Sequence, residues 1–215
     1  MRPCAIPFAG MDTADPNGVS VSQTPAGGGS QELTITGALA SGGVATMDIA
    51  RRVSITSAGN DSARTFTITG TDRYGDTLTE DITGPNATLV VGTKDFLTVT
   101  SVLVDDDTAG AILVGSSDET TSPWIPVDAH RNSVNISFSM SLSSDANFTY
   151  GVEHTFDNPF EGLPSSSFPH DSITGETTDQ EGSYIVPIMA YRFVITSYVA
   201  GSSTFNAVQA GLVGN

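Results

Sequence analysis

Residues 134–142 read VNISFSMSL and, after the turn-prone SSDAN, residues 148–156 read FTYGVEHTF. Val134, Ile136, Phe138, Met140 and Leu142 alternate with short polar residues, and Phe148, Tyr150, Val152, His154 and Phe156 repeat the pattern. A period of two places every second side chain on one face of a pleated strand, whereas a helix would scatter these residues around its circumference. Each segment therefore predicts a strand with one apolar face. The short link between them predicts that the two pair as a hairpin.

Working outward, the same signal recurs. Upstream, Leu33–Thr36, Val53–Ser57, Phe66–Thr69, Leu78–Thr83, Ala87–Val91, Phe96–Val104 and Ala111–Val114 are separated by turn-formers such as Gly59-Asn60-Asp61-Ser62 and Asp72-Arg73-Tyr74-Gly75-Asp76. Within Phe96–Val104 the apolar parity slips between Val99 and Val102, which predicts a β-bulge or bend. Downstream, Ile188–Ser197 and Thr204–Ala210 complete the set. Strands spaced roughly 8–12 residues apart with such turns indicate a sandwich or barrel. The expectation is an all-β protein of two small antiparallel β-sandwich or jelly-roll-like units with a flexible N-terminal arm. Its predicted parts are an extended arm over 1–30, one unit over 31–122, and a second over 123–215 that carries a long loop at 157–183.

The arm is read from composition. Residues 1–30 are rich in Pro, Gly and Ser, and end in Pro25-Ala26-Gly27-Gly28-Gly29-Ser30, too little apolar surface to fold alone. The segment reads either as a disordered tail or as an arm that orders on a neighbouring subunit, with Ile6, Phe8 and Met11 to dock. Two prolines interrupt the short apolar run at the N-terminus, so no secretory h-region is read and the expectation is synthesis in a cytoplasm without Sec export. The boundary between the units is placed at the polar run 116–123. Beyond it Trp124, the only tryptophan, reads as a packing residue at the junction or as a ligand platform.

Charge narrows the partners. A formal net charge of −16, with Lys94 the only lysine and Arg51-Arg52 the only adjacent basic pair, argues against nucleic acid, whose phosphates require clustered Lys and Arg. It equally disfavours an anionic membrane surface. No run approaches the ~18 apolar residues of a membrane helix. With one cysteine, Cys4, no internal disulfide can form and packing alone must hold the fold.

Chemistry-bearing motifs are sparse. No G-x-S-x-G elbow, P-loop, G-x-G-x-x-G or H-E-x-x-H is present, and no catalytic or cofactor site is assigned. His130 and His170 with Asp128 or Asp171 could ligate a metal, but nothing in their spacing asks for one, and none is assigned. His154 lies on the apolar parity of its strand and reads as a core histidine. Asp105-Asp106-Asp107 offers hard oxygens for Ca²⁺ but lacks the alternating spacing of a preorganised loop, and reads as a solvated turn. The long loop 157–183, interrupted by Pro159, Pro164 and Pro169, is of a length that is often interfacial. Its Phe160, Leu163, Phe168 and Ile173, together with Ile6, Phe8, Met11 and Trp124, are the candidate subunit-contact residues.

Several stretches carry a resemblance. Residues 52–62 (RVSITSAGNDS), Phe66–Asp72 with Tyr74-Gly75, Leu78–Pro85, Phe96 with Val99–Val102, Pro123–Asp128, Pro187–Phe193 and Gln209-Ala210-Gly211 are similar to small virion structural proteins of tailed bacteriophages. The resemblance implies a non-enzymatic particle component assembled in the host cytoplasm and located in the virion. Its partners would be the major capsid protein or neck and tail proteins, and it would itself be a homo-oligomer, trimers being usual for surface knobs. A capsid decoration (cement) protein that bridges shell subunits leads this reading. A neck or tail accessory, a fibre base and a receptor- or carbohydrate-binding module stay open beside it, and a polysaccharide hydrolase is the weakest class.

Overall fold

The computed structural model describes residues 4–128, 135–162 and 164–210. Val134, His130 and Leu163, each singled out above, lie outside the described residues. Among the described residues the chain is all-β, without a helix, and no element is a helix long and apolar enough to cross a membrane. It opens with β1 (Cys4–Phe8). There follow β2 (Ser20–Gln23), β3 (Gln31–Glu32), β4 (Ala40–Ser41), β5 (Val44–Ser57), β6 (Thr65–Thr71), β7 (Thr77–Thr83), β8 (Leu89–Val104), β9 (Ile112–Ser116) and β10 (Thr120–Thr121). The remainder are β11 (Ile125–Pro126), β12 (Asn135–Leu142), β13 (Asn147–Thr155), β14 (Phe168–Pro169), β15 (Gln180–Tyr184), β16 (Ala190–Ala200) and β17 (Ser203–Ala210).

Two compact units divide the chain: Asp12–Thr120, and Met1–Met11 with Thr121–Asn215. The second boundary falls close to the expected one, but the N-terminus does not form a separate arm over 1–30. Residues 4–8 pair with β17 in full antiparallel register, Cys4 opposite Ala207 and Phe8 opposite Ser203. Residues 20–23 pair with β9. Low apolar content limits what a segment can bury alone, but here each piece borrows a sheet edge already built by distant residues.

The Asp12–Thr120 unit is one antiparallel sheet in the order β2-β9-β5-β8-β6-β7, with β3 added to β8 and β4 to β5. Val53 and Ile55 of β5, Phe66 and Ile68 of β6, Val99, Val102 and Val104 of β8, and Ile112 and Val114 of β9 all enter one core cluster. Strands of 14 and 16 residues cannot serve a single core while flat, and the register breaks show where they bend. Thr69 opposes Ser101 while Gly70 opposes Val99, so Thr100 is the extra residue of a bulge. This is the slip expected from the parity of Val99 and Val102, and both valines are buried. Gly70 is required there, because a Cβ would lie 1.9 Å from the Thr98 carbonyl oxygen. The adjacent basic residues are engaged inside the unit. Arg51, 1% exposed, pairs with Asp48 at 2.9 Å and donates to the Asp12 carbonyl at 2.6 Å, while Arg52 pairs with Glu119.

The other unit is a two-sheet sandwich. One sheet runs β1-β17-β12-β15 and the other β10-β16-β13-β14, with β11 also on β16. The expected β12–β13 hairpin is therefore not formed. β12 pairs with β17 and β13 with β16, so each short link is an arch that carries the chain from one sheet to the facing one. Alternation specifies that each strand has an apolar face, and facing sheets satisfy that as well as neighbouring strands do. The two arches are tied together: Ser143 N–H donates to the Ser202 carbonyl at 2.9 Å, and Ser202 N–H to Ser143 Oγ at 2.8 Å. Gly201, at φ 98°, sits so near that a Cβ would lie 2.4 Å from Ala146 Cα. Between the sheets lies an aromatic core. Phe8 meets Phe148, Phe193 and Tyr198 edge-on at 5.7–6.5 Å, and Phe205 packs on Phe138 and Phe193 at 5.6 Å.

Candidate docking surface

The segment that follows β13 was expected to be a long loop. Among its described residues it is strand only at β14 before β15 begins at Gln180, and it runs as a wall along the edge of β13. Asp157 begins it as a clamp: Oδ2 accepts from Ser165 N at 2.8 Å, Ser166 N at 3.0 Å and both serine hydroxyls at 3.1 Å. These hydrogen bonds, the Ser166 amide foremost, hold the Asp157 carboxyl below its ordinary range. The chain then returns as β14, which sets Phe168 opposite His154. From there main-chain bonds continue along β13, His170 N to Val152 O at 2.8 Å, Val152 N to Ile173 O at 2.9 Å and Tyr150 N to Glu176 O at 2.9 Å. Unpaired edge groups of β13 are thereby satisfied.

The wall is also anchored inward. Ile173 is buried and, with the Phe138 ring, fills the space over Gly182, where a Cβ would come within 2.6 Å of Ile173 Cδ1. His170 is buried edge-on to Tyr184 at 4.9 Å and to Phe138 at 5.3 Å, with Nε2 3.2 Å from the Ser183 carbonyl. Tyr184 also has His154 5.1 Å away, edge-on. Burial, and secondarily the neighbouring His170, push the His154 imidazole below its ordinary pKa, against the smaller opposite pull of Asp171 and Glu153. Burial raises the Tyr184 hydroxyl far above its usual range, so it stays neutral.

Outward, the wall presents rings. Phe156, Phe160 and Phe168 are 55%, 79% and 46% exposed, and Ile185 and Val186, which continue directly from Tyr184, are 78% and 55% exposed. Phe156 and Phe168 stand 5.7 Å apart, and both touch His154, at 5.4 and 5.8 Å. A surface patch is thus mounted on a buried cluster.

No family model matches the chain, and neither a curated protein nor a solved structure matches it.

The expected contact residues divide clearly. Phe168 lies in this exposed ring pair, and Phe160 is exposed on the preceding segment. Phe8, Met11 and Ile173 do not offer a contact surface, because their side chains are buried within the fold. Ile6 is half-buried in β1. Trp124 is half-buried with the Arg192 guanidinium 4.2 Å from its ring centre, so one face of the indole is already covered. Phe156, Ile185 and Val186 were missed. The turn-prone Asp157-Asn158-Pro159 signalled that β13 would end beside Phe156, and Ile185-Val186-Pro187 is an apolar pair stopped by a proline.

The alternative ion sites resolve differently. Asp106 and Asp107 dock the Gly-rich segment: Gly29 N donates to Asp106 at 3.0 Å, and Gly28 N and Gln31 Nε2 donate to Asp107 at 2.7 and 2.8 Å. Among the described residues no three His, Cys, Asp or Glu side chains gather as a metal cluster.

Proposed function

We infer that this protein is a structural component of a bacteriophage virion, a decoration (cement) protein that bridges neighbouring shell subunits. The observation that carries the reading is the set of exposed rings Phe156, Phe160 and Phe168, of which Phe156 and Phe168 pack on each other and on His154. Exposed rings of this kind mark an interaction surface rather than ordinary surface decoration. Together they expose roughly 300–400 Å² of ring surface, given about 150–250 Å² per aromatic side chain. That is well below the ~800 Å² per partner of a standard stable interface. A patch of this size suits attachment at many equivalent points of a lattice, where several weak contacts act together. The resemblance noted in the sequence supports the same reading.

The test is quantitative mass spectrometry of purified particles of the phage that encodes the chain. A copy number matching the shell lattice is expected. A number matching a single ring would move the assignment to the neck or tail, and absence from particles would overturn it.

A further inference from the structure

The exposed rings have neighbours of one sign: Asp157 follows Phe156 and Glu161 follows Phe160 in the chain, and Asp171, two residues after β14, lies near enough to His154 to act on its charge; Glu161 and Asp171 are exposed. Between residues 157 and 186 lie also Glu176, Asp179 and Glu181, and the segment contains no lysine or arginine. Of the neighbouring cations, Arg192 is engaged with Glu153. The hydrogen bonds that clamp Asp157 keep it ionised well into acid. Exposed rings with carboxylates beside them, on a chain of net charge −16, are poorly suited to meet a copy of themselves. Such an encounter would desolvate carboxylate against carboxylate, and like charges across an interface suppress the pairing. An anionic lipid surface is opposed by the same field.

We propose that the exposed rings of Phe156, Phe160 and Phe168 dock on an apolar surface rimmed by Lys and Arg on a different protein of the particle, and not on a second copy of this chain. This rests on the reading of the chain as a virion component. The rings supply the buried centre, and Asp157, Glu161 and Asp171 supply steering and register at the rim.

Shells of the encoding phage, prepared without this protein, are the probe, and co-sedimentation with the purified full-length chain is the measurement. Phe160→Ser with Phe168→Ser is expected to weaken binding about 30-fold or more, the loss of a hot-spot anchor. Glu161→Gln with Asp171→Asn, both exposed, is expected to slow association and flatten its salt dependence while thermal melting stays at the wild-type value. Sedimentation velocity is expected to show the same oligomeric state for wild type and the double-Phe variant. If wild type fails to bind shells, the shell-decoration reading falls and takes this inference with it. If wild type binds and the double-Phe variant binds equally, the inference alone is overturned. Tighter binding by the charge-neutralised variant refutes the basic rim. Dissociation of an oligomer by the double-Phe variant shows that the occupant is a second copy and refutes the choice of partner.

Discussion

Replacing Glu80 by Ala tests how the sheet of the Asp12–Thr120 unit closes on itself. Glu80 takes the apolar parity of β7, between the buried Leu78 and Ile82, and is 7% exposed. It faces the outpocketing of β8, where Arg52 opposes Asp95 and Ser54 opposes Val91, leaving Gly92, Thr93 and Lys94 outside the ladder. Glu80 Oε1 accepts from Thr93 N at 2.6 Å and Thr93 Oγ1 at 2.7 Å, and Oε2 accepts from Lys94 N at 3.2 Å. Intramolecular hydrogen bonds contribute about 1 kcal/mol each on balance, and those to a charged acceptor up to about 3 kcal/mol. Thr93 and Lys94 are exposed, so water replaces part of what Ala removes. Setting the three bonds against that hydration leaves a loss of about 2 kcal/mol for Glu80→Ala, or about 8 °C in melting for a unit of this size. Glu80→Gln retains one good acceptor but turns an amide donor toward another donor, and is expected to lose about half as much.

The readout is urea unfolding with hydrogen exchange resolved by peptide, because the only tryptophan, Trp124, lies in the other unit. The midpoint is expected to fall at unchanged slope. The Thr93 and Lys94 amides are expected to lose protection before the rest of β8. A neutral or stabilising Glu80→Ala would refute the reasoning, since it would mean that desolvating the carboxylate costs more than its three bonds return.

Two further predictions concern the sandwich unit. Phe8→Ala removes a ring packed edge-on against three others and should destabilise that unit by about 3–4 kcal/mol, read by Trp124 fluorescence in denaturant; wild-type stability would restore the disordered-tail reading of residues 1–30. The lowered pKa of His154 makes stability depend on pH. The unfolded chain binds the proton more tightly than the folded one, so the contribution is complete above the ordinary histidine pKa of about 6.5 and is lost as pH falls toward the folded value. Melting of this unit between neutral and mildly acid pH should show that decline, and His154→Leu should reduce it.

Local chemistry legible in the chain carried through to most of the strands. The apolar runs read as strands fall on β6, β7, β9, β12, β13, β16 and β17, on the last five residues of β5 and, as two runs, on the single β8, while the strand expected over Leu33–Thr36 is absent; the slip between Val99 and Val102 marked the bulge at Thr100. These features depend only on neighbours along the chain, which is why they can be read from it. Of the docking surface, Phe160 and Phe168 were legible from an unusual, proline-interrupted polar segment. Phe156 was not, because alternation continued through it although β13 ends one residue earlier.

What the tertiary structure alone decided is partnership. Nothing in VNISFSMSL or FTYGVEHTF distinguishes pairing with each other from facing each other across a core, since both bury the same side chains. The choice fell to β16 and β17, distant strands that take the pairing edges. The same competition decided residues 4–8, which are too short to fold alone. Once β17 offers an open edge, those residues complete a sheet and place Phe8 among three rings. The all-β character was therefore determined by the sequence itself, because backbone period is a local property. The sandwich, the absorbed N-terminus and the wall that displays its phenylalanines required contacts between residues far apart in the chain.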